Sequence, residues 1–140
     1  MFIFRASRHD KADVKDLLQS AEFDTDRVDK GTILIARSGA VVGCVRLEEI
    51  EPQTVVVDDL VVAETHRGRG IGSQLVRAAM NNRGGTLYLC CHEDARQFYP
   101  RFGFAEVDYE GLPGSVQAYM RETDTYPFTP DHPHFFMKAR

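Results

Sequence analysis

A glycine-rich turn between two strongly patterned segments constrains the fold of this chain more than any other feature. The β-branched run Val55–Val62 predicts a strand. After the turn, apolar residues recur at helical spacing, namely Ile71, Leu75, Ala78 and Ala79. The turn itself, Arg67–Gly72, alternates glycine with other residues. Because a strand, a glycine turn and a helix in this order direct backbone N–H groups and the positive end of a helix dipole to one point, the sequence predicts an anion site, most often for phosphate.

Two common phosphate-binding motifs do not fit the spacing of these glycines. A P-loop requires a lysine directly after its last glycine, and no lysine follows these glycines. A dinucleotide fingerprint requires Gly-x-Gly-x-x-Gly, and Gly68, Gly70 and Gly72 are one residue short of that pattern. An ordinary strand–turn–helix connection stays open as the alternative interpretation.

Length and composition predict one compact domain over residues 1–140. The chain is 43% hydrophobic and 27% charged, as soluble globular proteins are. Its net charge of −4 argues against nucleic acid as a partner. No apolar run approaches the roughly 20 residues of a membrane span, and the N-terminus lacks a signal-peptide pattern. The three cysteines (Cys44, Cys90 and Cys91) do not form a disulfide framework, so we expect a cytoplasmic protein with reduced thiols that does not bind a membrane.

The hydrophobic pattern predicts strands and helices along the whole chain. We expect strands at 2–5, 32–37, 40–49, 54–63, 86–91, 104–109 and 134–138, and helices at 8–21, 70–82, 92–102 and 115–122. Segment 23–31 is interpreted as a loop or short helix that lines a substrate pocket, and 123–133 as a loop. Short turns predict antiparallel neighbours among the second, third and fourth strands, whereas the helix before the fifth strand predicts a parallel crossover. The fold class is therefore mixed α/β.

A second motif follows the fifth predicted strand. Ala95, Phe98, Tyr99, Gly103 and Phe104 form the pattern Ala-x-x-Phe-Tyr-x-x-x-Gly-Phe. Together with Arg-x-x-Gly-x-Gly in the glycine turn, this pattern resembles the GNAT acyltransferases, the GCN5-related N-acetyltransferase superfamily. The resemblance covers the whole chain in topology and residues 54–109 in motif detail. Pro100 departs from it and should kink or end the helix.

The resemblance implies a fold and a cosubstrate. The GNAT fold has a central, mostly antiparallel sheet whose parallel fourth and fifth strands splay apart, with flanking helices. Acetyl-CoA is the implied cosubstrate, with its pantetheine arm along the end of the fourth strand and its pyrophosphate on the glycine turn; no metal is implied. The implied cofactor-binding residues are Leu60, Val61, Val62, Arg67, Gly68, Arg69, Gly70, Ile71, Gly72, Ser73 and Phe98.

The resemblance also implies direct transfer of the acetyl group to a primary amine in a ternary complex. Tyr99 takes the position of the acid that protonates the departing CoA thiolate. Asp58 takes the position of the base in several members, and neighbouring strand residues point to opposite faces, so we select Asp58 over Asp59. Local capping or pairing of both aspartates and a water relay stay open. A backbone N–H near Leu60 or Val61, beside a bulge, is expected to polarise the thioester carbonyl.

The cysteines permit two other interpretations. An acyl-cysteine mechanism requires Cys44 or Cys90 to face the thioester, although buried inert thiols are favoured. Adjacent Cys90, Cys91 and His92 suggest a metal, but no Cys-x-x-Cys partner exists and we expect no metal site.

The acceptor is not specified by any motif. A small-molecule amine is the expected partner, and the phenylalanines of the second motif are interpreted as core. The alternatives are a catalytically weak acyl-CoA-binding regulatory module and an acetyltransferase of protein N-termini or lysines. We interpret His132 and His134 as solvated, and an exposed aromatic tail (Phe128, Phe135 and Phe136) as a possible homodimer surface.

Overall fold

The computed structural model describes residues 2–81, 84–123, 125 and 133–140. The described strands and α-helices are β1 (Ile3–Arg5), α1 (Lys11–Ser20), β2 (Thr32–Ser38), β3 (Ala40–Glu51), β4 (Thr54–Val62), α2 (Ile71–Asn81), β5 (Thr86–His92), β6 (Ala105–Val107), α3 (Gly114–Glu122) and β7 (His134–Ala139). The sheet has the strand order β1-β2-β3-β4-β5-β7-β6. The predicted mixed α/β fold is confirmed. Across the described ranges, no helix combines the length and hydrophobicity that a bilayer crossing requires.

Two compact units divide the chain. The first unit comprises Met1–Glu48 and Val57–Arg83, and the second comprises Glu49–Val56 and Gly84–Arg140. The unit boundaries therefore fall inside β3 and β4, and each unit contains a hydrophobic cluster of its own.

In the first unit, α1 covers one hydrophobic cluster. The helix follows a capping box: the Ser7 hydroxyl oxygen accepts from the His9 N–H at 3.2 Å, and the Ser7 N–H donates to Asp10 Oδ2 at 2.8 Å. The first turn after the cap is a 3-10 turn, so α1 begins at Lys11. The buried residues of the cluster are Val14, Leu17, Leu18, Val28, Ile35, Val41, Cys44 and Val61.

A glycine on β3 allows α2 to lie close to the strands of the first unit. A Cβ built at Gly43 would lie 3.0 Å from both Ile71 Cγ2 and Leu75 Cδ1. Ile71 and Leu75 are 2% and 0% exposed, so the N-terminal half of α2 is anchored where it follows the glycine turn. The position of this helix end therefore depends on the missing side chain of Gly43.

The second unit contains the parallel pairing of β4 with β5. Thr54, Val55 and Val56 of β4 pair in parallel with Thr86, Leu87 and Tyr88 of β5, which confirms that prediction. Strand β7 is antiparallel to both β5 and β6. Helix α3 supplies Val116, Tyr119 and Met120 to a cluster that also contains Val56, Tyr88, Leu112 and Phe136. The predicted short helix and closing strand are both confirmed.

Two expectations change, and a third lies mostly outside the described residues. Segment 92–102 does not form an α-helix but two 3-10 turns, Glu93–Ala95 and Tyr99–Phe102, and Pro100 inside the second one lacks the N–H that an α-helix requires. Phe136 is 5% exposed, so the expected exposed aromatic tail is wrong at that residue. Most of the predicted loop 123–133, with His132 and Phe128, lies outside the described residues.

The loop before β5 generates a stability prediction from two adjacent glycines. Gly85 has φ +84°, and a Cβ there would lie 2.4 Å from the Gln53 carbonyl oxygen. At Gly84 the nearest atom to such a Cβ is Gln53 Oε1, at 3.5 Å. We expect Gly85→Ala to lower the free energy of unfolding by about 2 to 4 kcal/mol, because both the backbone conformation and the clash oppose a side chain.

Gly84→Ala is the matched control, and we expect it to change that free energy by less than about 1 kcal/mol. Urea unfolding followed by circular dichroism measures both variants. Equal losses in the two variants would contradict the assigned conformation of Gly85.

Candidate functional site

The glycine turn joins β4 to α2, as the sequence predicts. Gly68 and Gly70 have φ +79° and +78°, in the left-handed region that favours glycine. A Cβ built at either position would meet no atom within 4 Å. Backbone conformation, and not packing within the chain, therefore accounts for these two glycines, and the space beside them is open.

The start of α2 completes an anion-binding arrangement. The first N–H groups of a helix have no partner inside the helix, and they carry the positive end of its dipole. Here they belong to the segment Ile71–Ser73, directly after Gly70. Arg67 and Arg69 are exposed beside the turn, and Arg67 Nε donates to the Val62 carbonyl at 3.2 Å. The turn can therefore bind a phosphate group through backbone donors with two guanidinium groups nearby.

A buried guanidinium binds three carboxylates, one on β3 and two on β4. Arg46 on β3 is 1% exposed. Its Nε donates to Asp59 Oδ2 at 2.8 Å, its Nη1 to Glu48 Oε1 at 2.5 Å and its Nη2 to Asp58 Oδ2 at 3.3 Å. Glu48 also accepts from Arg27 Nη2 at 2.6 Å. Because a buried charge must be paired, this cluster fixes the two aspartates of β4.

The expectation that Asp58 and Asp59 point to opposite faces is wrong. Both aspartates bind the same Arg46 guanidinium. Asp59 has φ +52°, which breaks the alternation of the strand, and its N–H donates to Asp58 Oδ1 at 2.8 Å. A backbone irregularity therefore occurs in β4 directly before Leu60, close to the place expected for a bulge.

The pKa values of Asp59 and Glu48 shift in opposite directions, because the hydrogen bonds that oppose burial differ between them. Burial raises the pKa of Asp59, the neighbouring Asp58 raises it further, and the hydrogen bond from Arg46 only partly opposes the rise. For Glu48, burial works in the same direction, but hydrogen bonds from Arg27 and Arg46 outweigh it and the pKa is lowered. Asp59 therefore binds a proton more readily than an ordinary aspartate.

The buried thiols do not favour covalent catalysis. Cys44 is 1% exposed, and its Sγ donates to the Asp59 carbonyl at 3.4 Å. Burial and the charge of Asp59 raise the pKa of Cys44 to about 12. Burial likewise raises the pKa of Cys91 to about 11. Because the thiolate is the nucleophile, both groups are unreactive near neutral pH.

The second motif lies in the second unit and forms an aromatic cluster. Tyr99 is 8% exposed, and its ring is edge-on to Phe98 and Phe104, with centroids 5.1 and 5.7 Å away. Phe98 is half-buried and packs against Phe102 at 5.1 Å. Phe104 is 3% exposed, which confirms its core assignment. Gly103 has φ +93° and ends the preceding 3-10 turn.

The structure distributes the predicted site residues between the units. Asp58, Leu60–Val62 and the turn through Ser73 belong to the first unit, and Phe98 and Tyr99 to the second. In segment 23–31, Val28, Asp29 and Gly31 help to line a cavity of about 170 Å³ with β1 and the start of α1. The role of that segment in substrate binding stays a prediction.

Sequence reasoning missed Arg46 and Glu48. Their signal is a pair of charged residues that alternates with Val45 and Leu47 at the end of the apolar run 41–45. In the described ranges, no group of three or more histidine, cysteine, aspartate or glutamate side chains comes together as metal ligands. The rings of His92 and His134 lie 4.4 Å apart on paired strands.

Several solved structures share the fold of this chain. A Mycobacterium tuberculosis protein in complex with CoA is 18% identical, with 99% of this chain and 98% of that chain covered and a TM-score of 0.75. An aminoglycoside 6′-N-acetyltransferase complexed with coenzyme A is 20% identical, with 99% and 96% covered and a TM-score of 0.71. A GNAT family acetyltransferase from Streptococcus pneumoniae TIGR4 is 27% identical, with 81% and 93% covered and a TM-score of 0.68.

A comparison with curated proteins finds no match. The family model described as acetyltransferase (GNAT) domain matches residues 29–106, which is more than half of the chain and includes β2 to β5, the glycine turn and the aromatic motif. The protein therefore belongs to the GNAT acetyltransferase family and is an acyltransferase.

Proposed function

We propose that the protein is an N-acetyltransferase that moves the acetyl group of acetyl-CoA to the primary amine of a small molecule by direct attack. The observation that carries this proposal is the glycine turn, where two positive-φ glycines leave open space at the N-terminal end of α2. Acetyl-CoA is the acyl donor of GNAT acetyltransferases. The aminoglycoside enzyme of the same fold supports a small-molecule acceptor.

The chain offers two backbone segments to the cofactor. The N–H groups of Gly68–Ser73, with Arg67 and Arg69 beside them, would hold the pyrophosphate. The backbone of Leu60–Val62 would pair with the pantetheine arm, and these residues lie beyond the part of β4 that pairs with β5. Half-buried Phe98 is proposed to contact the cofactor through its exposed ring surface.

The acceptor amine must lose a proton before it attacks. An amine with a pKa near 10.4 costs about 4–5 kcal/mol to deprotonate at pH 7, so a base contributes substantially. We propose Asp58 as this base, directly or through a water molecule. Its side chain is 40% exposed, against 14% for Asp59 and Glu48, so it is the carboxylate of the cluster that solvent and substrate reach most easily.

The leaving thiolate and the thioester carbonyl oxygen both develop negative charge, so each needs a donor. We propose Tyr99 as the acid that protonates the thiolate, and a backbone N–H at Leu60 or Val61 as the donor to the carbonyl oxygen. The irregular backbone at Asp59 supports the second role, because such an irregularity turns the following N–H groups out of the regular ladder.

Amine-dependent release of CoA thiol, measured with a panel of small amines, tests the activity. Binding of acetyl-CoA without release by any amine would favour the regulatory-module alternative, and release only with peptides would favour a protein acetyltransferase. The single domain over 1–140, the cytoplasmic location and a homodimer stay predictions.

The glycine turn generates a prediction about cofactor affinity. We expect Gly70→Asp to weaken CoA binding at least about 100-fold, or about 2.7 kcal/mol, because a carboxylate would occupy the phosphate position and repel its charge. Titration calorimetry measures the affinity.

Gly39→Asp is the matched control for this substitution. Gly39 in the β2–β3 turn has φ +77° and equally open surroundings, so it imposes the same backbone strain away from the proposed site. We expect CoA affinity to change less than about threefold in this variant. If Gly70→Asp binds CoA as Gly39→Asp does, the phosphate assignment is wrong.

Tyr99 generates a prediction about turnover. We expect Tyr99→Phe to lower kcat about 10- to 100-fold while the KM for acetyl-CoA changes less than about threefold, because the hydroxyl would act only on the leaving thiolate. Tyr119→Phe is the control, since Tyr119 is a buried tyrosine of α3 at 4% exposure. Equal kcat values for the two variants would exclude Tyr99 as the acid.

Cys44 generates a prediction that separates direct attack from an acyl-cysteine route through this residue. Because burial keeps its thiol protonated, we expect Cys44 to resist iodoacetamide in the folded protein at pH 8 and to react in urea, as peptide mapping by mass spectrometry would show. We also expect Cys44→Ala to keep kcat within about threefold. Loss of turnover in that variant, with its fold intact, would support the covalent route instead.

A further inference from the structure

The Arg46 cluster suggests that catalysis depends on a residue that lies outside both sequence motifs. We propose that Arg46 is a positioning residue, which holds the carboxylates of Asp58 and Asp59 together on β4 and thereby orients the base. This inference rests on the proposed function of Asp58. All of the residues involved lie in the first unit.

The Arg46 guanidinium binds its three carboxylate partners through three different nitrogens. Each of its three nitrogens donates to a different carboxylate: Nε to Asp59, Nη1 to Glu48 and Nη2 to Asp58. The guanidinium plane fixes the directions of these bonds, and its side chain is 2% exposed. A lysine ammonium retains the charge but cannot reproduce this fork, so the arrangement requires arginine and not merely a cation.

The backbone of Asp59 helps to position the side chain of Asp58 through a hydrogen bond. Asp59 has φ +52°, a conformation that an L-residue adopts only when other contacts hold it. In this conformation its N–H donates to Asp58 Oδ1 at 2.8 Å, while Arg46 donates to Asp58 Oδ2. Both oxygens of Asp58 are therefore positioned by contacts that involve Arg46, one directly and one through Asp59.

Glu48 has a second charged partner in this cluster. Its Oε1 and Oε2 also accept from Arg27 Nε and Nη2, at 3.2 and 2.6 Å. Glu48 therefore keeps a charged partner when Arg46 is removed, whereas Asp58 and Asp59 lose the hydrogen bonds that Arg46 donates to them. Arg27 provides the matched control, because it is an arginine that donates two hydrogen bonds to the same glutamate.

Kinetics of Arg46→Lys, Arg46→Met and the control Arg27→Met test the proposal. We expect Arg46→Lys to lower kcat about tenfold or more, with the KM for acetyl-CoA changed less than about threefold. If Arg46→Met fails to fold, the kinetics of Arg46→Lys decide the test. We expect Arg27→Met to keep kcat within about threefold. Equal losses in the Arg27 and Arg46 variants would overturn the proposal.

A double-mutant cycle identifies the residue through which Arg46 acts. In an Asp58→Asn background, we expect Arg46→Lys to lower the remaining kcat less than about twofold, because the group that it positions is already lost. Independent, multiplicative losses would mean that Arg46 supports the fold only, and would overturn the proposal.

Titration of the aspartate carboxyls by ¹³C NMR gives a readout that does not need activity. The charged groups acting on Asp59 are Asp58 on its own strand, Arg46 on β3 and Asp24 in the loop before β2. Since the Arg46 hydrogen bond lowers the pKa of Asp59, we expect that pKa to rise further in Arg46→Met and to stay unchanged in Arg27→Met. An unchanged titration in Arg46→Met would overturn the positioning role.

The two measurements also separate this inference from the proposed function. If no amine releases thiol from the wild-type protein, the proposed function fails, and the NMR titration still decides whether Arg46 holds the aspartates. If the wild-type protein is active and the Arg46 variants match it, only the positioning inference fails.

Discussion

The geometry of β4 depends on the buried charge of Arg46. Removing one partner of a buried ion pair typically costs about 3 to 5 kcal/mol, since an uncompensated charge is left in a low dielectric. Asp58 and Asp59 satisfy that charge from β4, and Glu48 from β3. The contacts that stabilise this part of the first unit are thus the same contacts that orient the proposed base. Selection for stability and selection for catalysis would act here on the same side chains.

As a consequence, β4 is irregular at the position where we propose that the base lies. Asp59 adopts a positive φ inside β4, and Gly68 and Gly70 adopt positive φ in the turn that follows. Strained backbone persists only where surrounding contacts determine it. At Asp59 those contacts are charged hydrogen bonds, whereas at the turn glycine removes the strain. Beyond the turn, Gly43 lets α2 approach, so regular packing resumes directly after the irregular segment.

Local sequence signals predicted most of this molecule. Strand and helix periodicity and the glycine turn depend on neighbouring residues, so one sequence contains them. The faces of Asp58 and Asp59 were not predictable by alternation, because that rule assumes regular strand dihedrals. Arg46 was missed because its aspartate partners are distant in sequence. Segment 92–102 was predicted as a helix from its aromatic spacing, and Pro100 explains only the break near Tyr99, because its nitrogen has no N–H to donate.

Two aspartates on one guanidinium differ only in what else surrounds them. Asp59 is mostly enclosed, so burial raises its pKa despite the hydrogen bond from Arg46, whereas Asp58 retains a 40% exposed side chain. Asp59 holds the irregular backbone of β4 through its hydrogen bond with Arg46, and the more exposed Asp58 is the carboxylate that we propose as the base. The single arginine makes this division possible, since it holds both carboxylates close without enclosing both.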